Sequence, residues 1–127
     1  MASGLTLDAG ALIAAEKRSF RFLAIWKERQ ERRLRVTLPA VVFAQVWRGN
    51  SPTIARLLPA CRWESFDETH GRLVGELLAK SRTSDVVDAV VVLGALARGD
   101  RIVTSDPEDI QRLLAAAGGD ESLVLGV

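Results

Sequence analysis

The chain has 127 residues, 48% of them hydrophobic and 26% charged, the balance of a folded globular protein with room for one core. A single cysteine, Cys61, and a single histidine, His70, exclude an internal disulfide and any zinc site built from several Cys or His ligands. The formal net charge is only +1, which by itself argues against a general nucleic-acid coat.

That total conceals a separation of signs. Residues 17–35 hold eight basic and two acidic side chains, a local charge of +6, and the rest of the chain carries −5. A basic element on a neutral protein can still hold an anionic polymer, because the local field governs the contact. The alternative reading of such a run is a solvated helix face. The N-terminus shows no basic stretch followed by an apolar one, since Asp8 interrupts it, so no signal peptide is expected. The longest apolar or glycine run, residues 89–97, is too short to cross a bilayer. A cytoplasmic protein of one domain, residues 1–127, is the expectation.

In chain order, Leu5-Thr6-Leu7 reads as a short strand ending at Asp8, which before Ala9-Gly10 suits a turn. Residues 20–33 form an expected helix with an apolar stripe through Phe20, Leu23 and Trp26. Residues 34–38 read as a strand, and Pro39 then suits the start of a helix running to Arg48, stopped by Gly49-Asn50. Pro52 opens another short helix, residues 61–66 alternate like a strand, and residues 68–80 are helical. Residues 86–98 are nearly all apolar and predict a buried helix closed by Gly99. A strand over 101–104, a helix over 107–117 and a strand over 123–127 complete the chain. Strands alternating with helices imply right-handed crossovers and a mainly parallel sheet covered on both faces, an α/β/α sandwich.

In such a sheet, chemistry gathers at the carboxyl ends of the strands. Three aspartates fall there: Asp8 after the first strand, Asp106 after the strand over 101–104, and Asp88 in the first turn of the buried helix. Each also has an ordinary structural reading. Asp106 precedes Pro107 as an N-cap would, and Asp85 with Asp88 is spaced like an acidic capping box. Asp8 suits a turn, and Asp85 and Asp109 are best read as caps. Taken jointly, however, carboxylates converging on one edge repel one another unless protons or a cation intervene. Oxygen ligands without Cys or His select a hard ion, Mg²⁺ or Mn²⁺, and such an ion suits phosphodiester hydrolysis.

These residues resemble a known family. Asp88-Ala89, the apolar helix after it, and Arg101-Ile102-Val103-Thr104-Ser105-Asp106 resemble the C-terminal signature of PIN domains, particularly the VapC toxins of bacterial toxin–antitoxin pairs. Leu5-Thr6-Leu7-Asp8 with Ala11-Leu12-Ile13 is similar to the family's first motif, and residues 38–40 with 46–49 to its second. The resemblance implies a metal-binding quartet on Asp8, Asp88, Asp106 and Gln45, the last standing where the family usually has glutamate. It implies an endoribonuclease, a cognate antitoxin and a homodimer. An amide can offer a metal a neutral oxygen but cannot act as a base or carry charge, and Asp85 and Asp109 are the candidates to supply the missing charge. Asp85, one turn before Asp88, is the stronger candidate.

Lys17, Arg18 and Arg21 in the basic segment, with Arg48 one turn after Gln45, are the candidate RNA contacts. Thr104 and Ser105 are placed to orient the acidic edge. His70 reads as a surface or capping residue, Cys61 as a small buried hydrophobe, and Trp26, Trp47 and Trp63 as core or interface before base-stacking platforms. Two other classes compete with the nuclease. One is a PIN-like protein that binds RNA or a partner without cleaving, which Gln45 allows. The other is a response-receiver-like domain, disfavoured because Asp8 stands alone and the lysines are only Lys17, Lys27 and Lys80.

Overall fold

The structure, a computed structural model, describes residues 4–127; the first three residues of the N-terminus, expected to carry no leader, lie outside it. Five strands form one all-parallel sheet: β1 (Leu5–Leu7), β2 (Val36–Pro39), β3 (Cys61–Glu64), β4 (Arg101–Thr104) and β5 (Val124–Gly126). Their order across the sheet is β3-β2-β1-β4-β5. Seven α-helices stand among the described residues: α1 (Ala9–Glu16), α2 (Phe20–Arg32), α3 (Ala40–Val46), α4 (Pro52–Leu57), α5 (Glu68–Ser81), α6 (Val86–Arg98) and α7 (Pro107–Ala116). Helices α1 to α4 pack with one another on one face, and α5, α6 and α7 on the other. This is the expected α/β/α sandwich.

Burial explains the central strand. Leu5, Thr6 and Leu7 of β1 are all fully buried, as a strand covered on both faces requires. Residues of β1 align with β2 on one side (Leu5 opposite Val36) and with β4 on the other (Leu5 opposite Arg101). The chain moves from β1 to β2 to β3 in one direction and from β4 to β5 in the other. The order therefore reverses between β1 and β4, the position at which open α/β sheets place their ligand sites. Asp8 follows β1 and Asp106 follows β4 at that position. No helix among the described residues is long and apolar enough to cross a membrane.

One element differs in kind from the sequence reading. Residues after Asp8 form a helix, α1, and not merely a turn. Its sequence, Ala-Gly-Ala-Leu-Ile-Ala-Ala-Glu, is apolar nearly all round and so lacks the one-sided period that marks a surface helix. Ala11, Leu12, Ala14 and Ala15 are buried, and their small side chains let the helix lie close to the sheet. The other differences are at ends. Helix α3 stops at Val46, short of Arg48, and a 3-10 turn at Leu58–Ala60 leads into β3.

Candidate active edge

The first functional side chain is held by the turn that follows β1. Asp8 is the N-cap of α1: its Oδ1 accepts from the Ala11 amide at 2.8 Å, and its own amide donates to the Val103 carbonyl at 3.2 Å. With only 6% of its surface exposed, Asp8 pays for burial in its acidity. Desolvation raises its pKa above the ordinary 3.8 and Asp106 adds repulsion, while the Thr104 side chain and the Ala11 and Gly10 amides oppose the rise. Capping and a site role are thus compatible in Asp8, because the cap occupies one carboxylate oxygen.

The turn after β4 is pressed against the first. A Cβ placed on Gly10 would lie 1.9 Å from Ser105 Oγ and 2.9 Å from the Ser105 amide nitrogen. Only glycine allows this approach, and it sets Asp8 beside the Thr104–Asp106 turn. Gly10→Ala is expected to force the two turns apart, with a stability loss of about 1–3 kcal/mol as for other overpacked sites. Thermal denaturation measures the loss, and any cleavage activity should fall with it. Thr104 is fully buried, and its Oγ1 accepts from the Asp106 amide at 2.9 Å. Thr104 therefore serves both aspartates, the orienting role that its position suggested. Ser105 is exposed and acts here through its packing on Gly10.

Asp106 occupies the N-cap position of α7 before Pro107, but its side chain makes no capping hydrogen bond. Its exposed carboxyl is instead raised in pKa by hydrogen bonding with Asp109, by desolvation and by the negative charge of Asp109 and Glu108. Asp109 also bonds Arg112 at 3.2 Å.

Asp88, half-buried in the first turn of α6, has its pKa pushed up to about 7. Burial is the largest cause, followed by the charges of Asp85, Asp8, Asp109 and Asp106 in that order. Carboxylates from β1, α6 and α7 therefore act on one point. Asp85 caps α6, its Oδ1 accepting from the Asp88 amide at 2.9 Å. The capping reading holds for Asp85, and the same residue is the largest source of charge on Asp88. Thr83, Asp85, Asp88, Asp109, Arg112 and Leu113 line a small cleft of about 100 Å³ between α6 and α7.

No ion pair among the described residues involves Asp8, Asp88 or Asp106. Hard oxygen donors without a counter-cation suit a hard divalent ion in charge and chemistry. Among the described residues, however, no three or more His, Cys, Asp or Glu are already gathered as a group that could hold a metal ion. An ion would thus have to draw these carboxylates together on binding.

The remaining candidates scatter. Gln45 is exposed in the last turn of α3, its amide without a hydrogen-bond partner among the described residues. Arg48 folds back on its own helix end, donating to the Trp47 carbonyl at 2.8 Å and the Ala44 carbonyl at 3.3 Å. Lys17 lines a shallow groove with Gly10, Ile13, Ser19, Ser105 and Val127, and Arg21 Nη1 lies 3.9 Å from the Cβ position of Gly126. Arg18 is exposed in the turn between α1 and α2. Gly10 and Ser105 in that groove are close in sequence to Asp8 and Asp106. Arg33 and Arg35, by contrast, flank the start of β2 at the opposite edge of the sheet, and Glu28 lies 3.9 Å from Arg101 at the start of β4. The basic segment thus spans the molecule, and only its first part faces the acidic edge.

Trp26 stacks on Phe22 and Trp47 on Phe43, both partly buried against the core, and Trp63 meets Phe43 edge-on. Cys61 is half-buried, donating to the Leu57 carbonyl, and burial pushes its thiol up to about 11. His70 sits in the first turn of α5, where Asp67 caps its amide. Gly10 is the position at the candidate site that the sequence did not single out; its spacing after Asp8 was visible, but its contact with Ser105 was not. Compared with models of known families and with curated proteins, the chain matches none.

Proposed function

We propose that the protein is a metal-dependent endoribonuclease of PIN-domain type, the toxin of a toxin–antitoxin pair. The observation that carries the reading is that Asp8 and Asp106 follow the two strands between which the strand order reverses, that Asp88 feels the negative charge of both, and that none of the three is in an ion pair among the described residues. In this reading those three carboxylates, with Gln45 as a neutral oxygen donor, hold one or two Mg²⁺ or Mn²⁺ ions. Such an ion, when bound, supplies positive charge to an RNA phosphate and makes water a better nucleophile. The chain's own residues do the rest. The Ala11 amide and the Thr104 side chain fix Asp8, Asp106 is oriented through its amide on Thr104, and Asp88, its pKa pushed up to about 7, is about half protonated near neutrality. Lys17, Arg18 and Arg21 attract the RNA backbone along the groove. A homodimer and a cognate antitoxin in the cytoplasm belong to the same proposal.

The test is cleavage of RNA in Mg²⁺ and in Mn²⁺ by the wild type, Asp8→Asn and Asp106→Asn. Metal-dependent cleavage by the wild type alone is expected; equal cleavage by all three points to a contaminating nuclease and removes the mechanism. RNA binding should be salt-sensitive, and Lys17→Ala with Arg21→Ala should reduce the slope of log affinity against log salt by about 0.7 for each phosphate no longer neutralised. Arg33→Ala and Arg35→Ala should leave that slope unchanged.

A second reading is favoured by the exposed Gln45 amide and by the absence of a gathered metal-ligand group among the described residues. In it the protein binds RNA or a partner without cutting. Salt-sensitive binding with no cleavage in either metal selects this reading.

A further inference from the structure

On the face of the sheet away from α1, a buried polar network lacks one partner. The Arg98 guanidinium donates to Asp100 Oδ2 at 2.9 Å and to Thr6 Oγ1 at 2.9 Å, and it pairs closely with Glu64 Oε2. Thr6 also donates to Asp100 at 2.9 Å. One guanidinium thus serves two carboxylates, both largely out of water: the Glu64 side chain is 12% exposed and that of Asp100 3%. One negative charge is left over. Glu64 Oε1 is buried and has no hydrogen-bond partner among the described residues, an arrangement that costs a buried acceptor its full desolvation. His70 does not fill the gap. Its Nδ1 is held by Asp67 at 2.7 Å, and its Nε2 stands 3.9 Å from the other Glu64 oxygen.

Glu64 is among the residues that line a cleft of about 90 Å³ between α5 and α6. Leu73, Val74, Val90, Leu93 and Ala97 form its apolar walls. Gly94 keeps the carboxylate seated: a Cβ there would lie 2.6 and 2.7 Å from the two Glu64 oxygens. Apolar surface continues outside the cleft, where Leu73 is 49% exposed and Phe66 42%.

We infer that this cleft receives a lysine side chain of a partner polypeptide, its aliphatic stem between the apolar walls and its ammonium at the Glu64 carboxylate, whose Oε1 turns toward the cleft to meet it. Charge complementarity selects a cation, and the apolar walls select one carried on a hydrocarbon stem. Lysine is selected over arginine because Glu64 Oε2 is already taken by Arg98. A single free oxygen suits the compact ammonium, whereas a guanidinium fork is matched by two. The exposed Leu73 and Phe66 beside the opening offer contact to residues flanking that lysine.

The experiment uses the whole protein with methyl groups labelled for NMR, titrated with Nα-acetyl-lysine N-methylamide and with its norleucine counterpart, which has the stem without the ammonium. Saturable shifts at Leu73, Val90 and Leu93 are expected with the lysine compound, at least about tenfold tighter than with norleucine. Glu64→Gln should erase that difference. Because loss of Glu64 also unpairs Arg98, Ala97→Leu serves as a second variant: it fills the cleft from an exposed position, leaves the network intact, and should abolish binding of both compounds. Equal binding of lysine and norleucine, undiminished binding by Ala97→Leu, or no saturable shift overturns the inference. Tighter binding of free cadaverine than of the capped lysine overturns the assignment to a polypeptide.

Discussion

Asp88→Asn is expected to lower metal-dependent RNA cleavage by roughly a thousandfold, the loss of several kcal/mol of charge stabilisation at the reacting phosphate. Asparagine keeps the size of the side chain and leaves the α6 cap intact, since the cap uses the Asp88 amide and not its carboxylate. What disappears is the one charge on which Asp85, Asp8, Asp109 and Asp106 all act. Asp85→Asn is the informative companion. It preserves the cap, because asparagine caps as well as aspartate, and deletes only the largest neighbouring charge. A smaller loss, about tenfold, is expected there if Asp85 supplies the charge that Gln45 lacks. Single-turnover cleavage at saturating RNA measures both. Cleavage by Asp88→Asn equal to that of the wild type contradicts the catalytic role, and an unchanged Asp85→Asn variant removes Asp85 from it.

The same carboxylates should make the cation-free protein less stable as the pH rises. Asp88 binds its proton more tightly in the folded state, pKa about 7, than its ordinary 3.8. A group raised in this way contributes stability that is full below the unfolded value and is lost as pH rises through the folded one. The melting temperature should therefore fall between about pH 4 and 8, with Asp8 and Asp106 acting in the same direction. Asp67 and Asp120 are lowered by the amides they cap, so their contribution changes only at acid pH, below this window. Asp88→Asn should flatten the profile and raise the melting temperature near pH 8 by about 3–5 °C, corresponding to ~1 kcal/mol once partial exposure is allowed for. Millimolar Mg²⁺ should restore the wild type at the same pH, because a ligand that binds only the folded state stabilises it. A wild-type melting temperature that is flat or rises across the window contradicts this account.

Sequence made some parts of this arrangement legible and hid others. Helix α6 and strand β4 were plain because a long apolar run, a closing glycine and the Thr104-Ser105-Asp106-Pro107 turn each carry a local signal. The layer architecture followed from the alternation of strands and helices. Helix α1 escaped because its residues are apolar nearly all round, the exposed Ile13 included, so the sequence shows no one-sided period to reveal a helix. The sequence also suggested that the whole basic segment steers RNA, but β2 carries its last part to the far edge of the sheet. The Gly10–Ser105 contact and the Glu64–Arg98 pair join residues far apart in the chain, and only the order of strands brings them together.

The most direct measurement of the shared-cation claim is titration of the protein with Mn²⁺ while the aspartate carboxyl signals are followed by carbon NMR. Asp8, Asp88 and Asp106 are expected to broaden together at substoichiometric Mn²⁺ while Asp67 and Asp120 remain sharp, and Asp88→Asn should sharply weaken the effect. Uniform broadening of all surface carboxylates, or broadening centred on Glu64 and Asp100, would contradict a shared cation at this edge.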